Sequence, residues 1–380
     1  MFKRFLELKE LLKHRSLFLF GPRRTGKSTY LRDQFPNVPY YDLLDGATYR
    51  DLSASPELIR QRLKPGQELI IVDEVQKLPA LLDEIHLLIE RDKSLRFILT
   101  GSSLRKLRRG GANLLAGRAL TTHLFPLVHP EVPHVALEDR LLRGNLPSIL
   151  TSPIPEEDLR AYVGDYLREE IQGEFEARKL EGFSRFLTFA ATCSGEQVNY
   201  SALGSELGIS PKIVREYFQV LDDTLLGSEL PAFTEGKLRK PVTSAKFYFF
   251  DIGITNSLLN RSLRQVSADM LGTAFEHLVF HELRAFLDYK RYFYPLNYWR
   301  TYSQLEVDFI VNKTIAIEAK ATAKVTAHDT KGLRALSEEI TPERRIVVCR
   351  ESSSRKDDEG IEILPIGEFL DALWNGEIVS

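Results

Sequence analysis

The chain has 380 residues, enough for two or three domains of about 150 residues each. Its 43% hydrophobic and 27% charged residues are those of a globular protein, 23 Gly and 18 Pro exclude collagen-like or low-complexity character, and no apolar run approaches the ~20 residues of a membrane helix. The formal net charge is −2, but residues 1–150 hold 24 Lys/Arg against 17 Asp/Glu, while 151–200 hold 5 against 10.

The first segment, MFKRFLELKELLKHR, interleaves charges with Phe and Leu. It lacks the apolar core of a signal peptide and predicts an amphipathic helix in a cytoplasmic protein with no membrane partner. Cys193 and Cys349 form neither a disulfide framework nor a metal site.

Ser16–Phe20 reads as a buried strand that runs into Gly21, Pro22, Arg23, Arg24, Thr25, Gly26, Lys27, Ser28 and Thr29, a match to G-x-x-x-x-G-K-[ST]. Strand, glycine loop and helix in that order let backbone N–H groups wrap the phosphates of ATP. Lys27 then reaches the β- and γ-phosphates, and the Ser28 hydroxyl ligates Mg2+. A second apolar strand, Leu69–Val72, ends in Asp73 and Glu74. Asp73 suits the Mg2+ ion, and Glu74 is placed to polarise the attacking water, which predicts hydrolysis. The plainer alternative is an acidic helix cap.

A third strand, 95–100, ends in Thr100, Gly101, Ser102 and Ser103. Thr100 and Ser102 are candidates to sense the γ-phosphate; an ordinary turn with a serine helix cap is the alternative. Strands near 38–42 and 119–124, with helices at 56–64 and 78–91, complete an alternating pattern that predicts a parallel sheet covered on both faces.

GPRRTGKST, VDEVQ, LTGSS and LLAGRA, in this order, resemble prokaryotic AAA+ ATPases fused to a C-terminal domain of unknown function. The resemblance implies a ring, hexameric in the usual case, in which an arginine reaches across a subunit boundary to the γ-phosphate. Arg118 is the position for that role; a surface or substrate-contacting arginine is the alternative. Arg105, Lys106, Arg108 and Arg109 precede two glycines. In a ring that loop could grip DNA phosphates; a solvated basic loop is the alternative.

TSPIPEED marks a boundary near 151–157, followed by an acidic helical stretch to about 193. Residues 200–211 read as helix, glycine turn, serine cap and proline, and Lys212–Asp222 as a second helix, with a β segment at 246–250 behind it. This is a helix-turn-helix with a wing, in which Lys212 and Arg215 contact DNA; a lid that touches no DNA is the alternative. Lys237, Arg239 and Lys240 form a further basic loop.

In the last third, a helix carries Glu276, and two strands of a hairpin carry Asp308 and then Glu318 with Lys320. Glu318 and Lys320, two apart, leave one face of their strand. Asp, spacer, Glu-x-Lys and an upstream Glu resemble the PD-(D/E)xK core of restriction endonucleases, although the usual proline before the aspartate is absent from Glu306-Val307-Asp308. The resemblance implies a second divalent metal held by Glu276, Asp308 and Glu318, with Lys320 beside the water. A surface salt bridge, or a fold that binds DNA without cutting, are the alternatives.

The expected architecture is α/β: a P-loop NTPase parallel sheet (1–150), a helical and winged-helix lid (151–255) and a restriction-endonuclease-like α/β domain (256–380). The expected function is ATP-driven work on branched or damaged DNA, such as forks or Holliday junctions. A nucleotide-controlled scaffold and an ATP-regulated metal-dependent nuclease are the alternatives.

Overall fold

The apolar strand at Ser16–Phe20 (β1) is buried along its whole length, because it is an interior strand of a five-stranded parallel sheet. The computed structural model describes residues 2–103, 107, 115–166, 177–236 and 238–379. These form two compact units, Lys3–Pro126 with Asp223–Leu226, and Leu127–Asp222 with Gly227–Ser380 and the first two residues. The expected 151–255 and 256–380 segments share the second unit.

In the N-terminal unit β1 lies between β4 (Arg96–Gly101) and β5 (Ala119–His123). β3 (Leu69–Asp73) follows β4, and β2 (Tyr40–Asp42) closes the edge, giving the order β2-β3-β4-β1-β5. The expected phosphate loop leads from β1 into α1 (Lys27–Gln34), and α2 (Leu81–Arg91) lays five buried Leu and Ile side chains on the core. The N-terminal helix is shorter than expected, Leu8–Leu12. Ahead of it the chain is tied to the phosphate loop and its surroundings: Arg4 donates to the carbonyls of Thr25 (2.7 Å) and Phe125 (2.6 Å), and Leu6 accepts from the Tyr30 hydroxyl at 2.5 Å. The helix expected at 56–64 is a single turn, Leu58–Gln61.

In the C-terminal unit α3 (Tyr200–Leu207) and α4 (Pro211–Asp223) meet at a tight turn. Gly208 there has φ 70°, and a side chain at Gly204 would lie 2.8 Å from the Ile209 carbonyl. Two strands, β6 (Gly227–Leu230) and β7 (Lys246–Phe249), pair antiparallel behind them. Phe186, Phe218 and Phe247 stack edge-on to join helix and strand.

The rest of this unit is a mixed sheet of β8 (Leu296–Arg300), β9 (Glu306–Val311), β10 (Ile315–Ala319), β11 (Arg344–Cys349), β12 (Arg355–Lys356) and β13 (Glu362–Pro365). Its order is β12-β13-β11-β10-β9-β8, with the expected β9–β10 hairpin inside it, one strand from the β8 edge. The long helix α5 (Ala268–Tyr289) lies against β10. A buried Arg140–Glu282 ion pair, backed by the Trp374 indole N–H at 2.7 Å, ties three separate segments of this unit together.

Candidate functional site

The carboxyl ends of β1, β3 and β4 bring the expected phosphate and metal residues into one place. Gly26 has φ 91°, the left-handed backbone that turns the loop into α1. A side chain at Gly21 would lie 2.5 Å from the Leu124 carbonyl, so the loop is pressed against the strand end behind it. Lys27 is buried, and its Nζ donates to the carbonyls of Gly21 (2.7 Å) and Pro22 (3.2 Å).

Asp73 is 1% exposed and is met by three hydroxyls. Ser28 donates to its Oδ2 at 2.7 Å, Tyr40 donates to the same oxygen, and Thr100 donates to Oδ1. Thr100 also accepts the Glu74 backbone N–H at 2.9 Å, so one hydroxyl fixes both carboxylate residues. Glu74 itself has φ 60°, an arrangement that costs a non-glycine residue about 1 kcal/mol and is kept where the surroundings enforce it. Its side chain accepts from Gln76 Nε2, which also donates to Ser102 Oγ at 3.1 Å.

Tyr40 and Gln76 are the residues that sequence reasoning missed. Gln76 stands two positions after Glu74, within reach of a local reading. Tyr40 comes from β2, paired with β3 so that Tyr40 lies opposite Ile71 and Asp42 opposite Asp73. Burial, then the Asp73 charge, pushes the Tyr40 phenol well above its ordinary range, so it stays a donor. Arg118 follows a turn at Leu115–Gly117 and its Nε donates to Glu90. Arg118 first and Lys93 second hold the Glu90 carboxyl at about 2. Arg105, Lys106, Arg108, Arg109 and Lys237 lie outside the described residues.

The C-terminal carboxylates also gather, around a residue the sequence reading assigned to a wing strand. Lys246, on β7, has a side chain only 3% exposed. Its Nζ lies 2.9 Å from Glu276 Oε1, 2.6 Å from Glu306 Oε1 and 3.6 Å from Asp308 Oδ1. Glu276 also accepts from the Tyr248 hydroxyl at 2.6 Å, and Asp308 from the Ala319 N–H at 2.9 Å. Glu318 Oε1 pairs with Lys320 at 2.5 Å, while its Oε2 is buried without a hydrogen-bond partner. Burial, opposed by Lys246 and reinforced by Asp308, raises Glu276 to about 7. Burial and Asp308 push Glu318 in the same direction.

The expected second metal is not supported. Among the described residues no group of three or more His, Cys, Asp or Glu side chains is arranged to hold a metal ion. The physical reason is Lys246, whose ammonium already stands among the oxygens.

Lys212 and Arg215 are exposed on α4. The Arg215 guanidinium lies over the Tyr200 ring at 5.0 Å. Arg215 and Arg300 line one cleft of about 530 Å³ with Asn199, Gln197 and Ser244. No helix among the described residues is long and apolar enough to cross a membrane.

Residues 13–132 match an AAA domain. The chain joins an AAA-type ATPase domain to a C-terminal domain of unknown function. Residues 135–265 match a domain of unknown function (DUF8612), and residues 271–369 match another (DUF4143). The chain is 27% identical over 303 residues to an uncharacterized protein of Mycobacterium bovis and to one of Mycobacterium tuberculosis, covering 78% of this chain and 67% of each relative. Among solved structures it is similar to a signal transduction ATPase with numerous domains from Pyrococcus horikoshii that carries a tetratricopeptide repeat sensor. That match has 15% identity and a TM-score of 0.30, over 76% of this chain and 47% of that one, so the chain spans about half its length.

Proposed function

We propose that the chain hydrolyses ATP with Mg2+ and applies it to DNA, remodelling or processing branched or damaged structures such as forks or Holliday junctions. The observation that carries hydrolysis is Glu74, held beside Asp73 by Gln76 at the end of β3. Lys27 leaves the Gly21 and Pro22 carbonyls for the β- and γ-phosphates. Glu74 takes a proton from the attacking water, with Thr100 sensing the γ-phosphate through Asp73, and Ser102 through Gln76, which holds Glu74. Ser28 Oγ and the Asp73 carboxylate are hard oxygen donors 2.7 Å apart, a donor set that fits Mg2+, which would neutralise phosphate charge there.

DNA enters through the C-terminal unit. The α3–α4 pair with the β6–β7 hairpin reads as a winged helix, and exposed Lys212 and Arg215, with Arg300 in the adjoining cleft, offer cations to phosphates. The mixed sheet reads as a restriction-endonuclease-like fold serving as a further DNA-associated surface. In a ring, hexameric in this reading, Arg118 exchanges Glu90 for the neighbour's γ-phosphate. Subunits carrying Lys27→Ala then rescue Arg118→Ala subunits in mixed rings, because each supplies what the other lacks.

ATP turnover over a panel of single-stranded, duplex, forked and four-way DNA tests the reading. Stimulation by one branched form is the expected result. Turnover indifferent to every DNA overturns the DNA role and leaves a nucleotide-controlled scaffold.

A further inference from the structure

Four carboxylates, Glu276, Glu306, Asp308 and Glu318, converge on one side of β9 and β10. Such a group needs positive charge to persist in a buried place. In nuclease-like sites a divalent cation supplies it. Here Lys246 reaches in from β7, outside the hairpin, with its side chain 3% exposed. Three of the four carboxylates lie within 3.6 Å of its Nζ. Arg300 Nη1 takes the other oxygen of Glu306 at 3.2 Å, and Lys320 takes Glu318. Three cationic side chains therefore face four carboxylates.

The spacing fits an ammonium. The oxygens stand 2.6, 2.9 and 3.6 Å from Nζ, hydrogen-bond and ion-pair distances. Metal–oxygen bonds for Mg2+ or Ca2+ are about 2.0–2.6 Å. Burial works against charge on Lys246, yet Glu276, Asp308 and Glu306 outweigh it and hold the ammonium above the ordinary lysine range. Position supplies the rest of the argument. Nζ touches Glu276 and Asp308, two of the three carboxylates that a nuclease-like metal would need, so lysine and metal compete for one volume. Glu318 Oε2, buried and unpartnered, is the oxygen left over in that arrangement.

We propose that Lys246 is a resident cation standing in the place of a metal ion. The cluster excludes divalent cations while Lys246 is present, and becomes a Mn2+ or Mg2+ site when that side chain loses its charge. The C-terminal unit then binds without cutting phosphodiesters. This inference does not rest on ATP hydrolysis and stands or falls separately from it.

The test uses the full chain, free of nucleotide, with Asp73→Asn to remove the N-terminal metal carboxylate. Mn2+ binding is read by electron paramagnetic resonance at about pH 8, where Glu276 is ionised. With Lys246 intact, adding Asp308→Asn or Glu318→Gln should leave Mn2+ binding unchanged. Lys246→Met should gain one Mn2+ site per chain, at least ~10-fold tighter than any binding before, since an ammonium no longer repels the cation. Adding Asp308→Asn should abolish that site. A Mn2+ site in the lysine-containing chain that Asp308→Asn removes overturns the proposal. So does a folded Lys246→Met chain that gains no site. If Lys246→Met does not fold, the lysine-containing comparison decides alone: a Mn2+ signal sensitive to Asp308→Asn refutes the proposal, and an insensitive one supports it.

Discussion

Asp73 and Asp308 are both buried carboxylates at strand positions, at 1% and 4% exposure, but their partners differ in kind. Three neutral hydroxyls meet Asp73, whereas the Lys246 ammonium and a backbone N–H meet Asp308. Hydroxyls orient a carboxylate and leave its charge for an incoming cation. An ammonium cancels the charge in advance. Two groups that look alike in sequence, each an apolar strand carrying acids, therefore differ in what meets them. In the reading proposed above, the first is prepared for a metal and its phosphates, and the second is closed on itself.

The sharpest way to break this comparison is at Glu74. Glu74→Gln keeps a hydrogen-bonding side chain next to Gln76 but cannot take a proton. ATP should stay bound while turnover falls at least ~100-fold, the range for losing a well-placed general base. Phosphate release against nucleotide retention measures both, and wild-type-like turnover would remove Glu74 from the chemistry. Lys27→Ala should instead lose nucleotide binding.

The contrast between the sites also marks what could be read from the sequence. Gly21–Thr29 and Asp73–Glu74 were readable because each signal is contiguous and each sits where an apolar strand stops. The hairpin of Asp308 and Glu318 was readable for another reason, two apolar strands joined by the short turn at Asn312 and Lys313. Tyr40 was not, because its contact with Asp73 depends on β2 joining the edge of the sheet in a particular register. Lys246 was hidden more deeply. It lies in KFYFF, whose apolar pattern announces only a strand, and its partners Glu276, Glu306 and Asp308 come from a distant helix and hairpin. Glu306 has no assigned role in the sequence, and its tie to Lys246 emerges only in three dimensions. The short N-terminal helix was misjudged because Arg4 and Leu6 are held by the segment around the phosphate loop.

The pH dependence of stability should separate the two sites further. Glu276 titrates near 4.5 when unfolded and is raised to about 7 in the fold, first by burial and then by Asp308. The folded chain therefore holds this proton more tightly, and its contribution is complete below 4.5 and lost as pH rises through about 7. His277 runs the other way: burial first and His281 second lower it to about 3, so protonation destabilises the fold as pH falls below 6.5. At 6.5 the unfolded histidine is still half protonated, so its titration opposes that of Glu276 there, and comparison with a Glu276 variant isolates the carboxylate. Measured against Glu276→Gln, the wild-type unfolding free energy from urea titration should fall by about 0.8 kcal/mol between about pH 6.5 and 8. A difference between the two chains that stays constant over that range would assign the titration elsewhere.

A smaller effect is expected at Tyr40. Its hydroxyl shares Asp73 Oδ2 with Ser28, so Tyr40→Phe removes one orienting donor and leaves the other two. Half-maximal ATPase activity should need about 10-fold more Mg2+, the lower range for loss of a group that orients a metal ligand, with kcat at saturating Mg2+ little changed. An unchanged Mg2+ requirement would show that Ser28 and Thr100 suffice to orient the carboxylate.

The smallest effects belong to the exposed cations of α4. Lys212 and Arg215 stand in water, and the Arg215 guanidinium rests on the Tyr200 ring instead of in a buried ion pair. Phosphate contacts made there release counterions and should carry no sequence preference. Each alanine substitution should lower the slope of log affinity against log salt by about 1, uniformly across DNA sequences, and leave basal ATP turnover unchanged. Arg215→Lys should keep the charge and most of the salt dependence, since a phosphate needs only a cation, although it loses the flat surface that stacks on Tyr200. A salt slope that is the same in wild type, Lys212→Ala and Arg215→Ala would take α4 out of the DNA-binding surface. Arg300 would then be the remaining cation of that cleft. If Arg300→Ala also left the slope unchanged, the C-terminal unit would have no role in phosphate binding through this face.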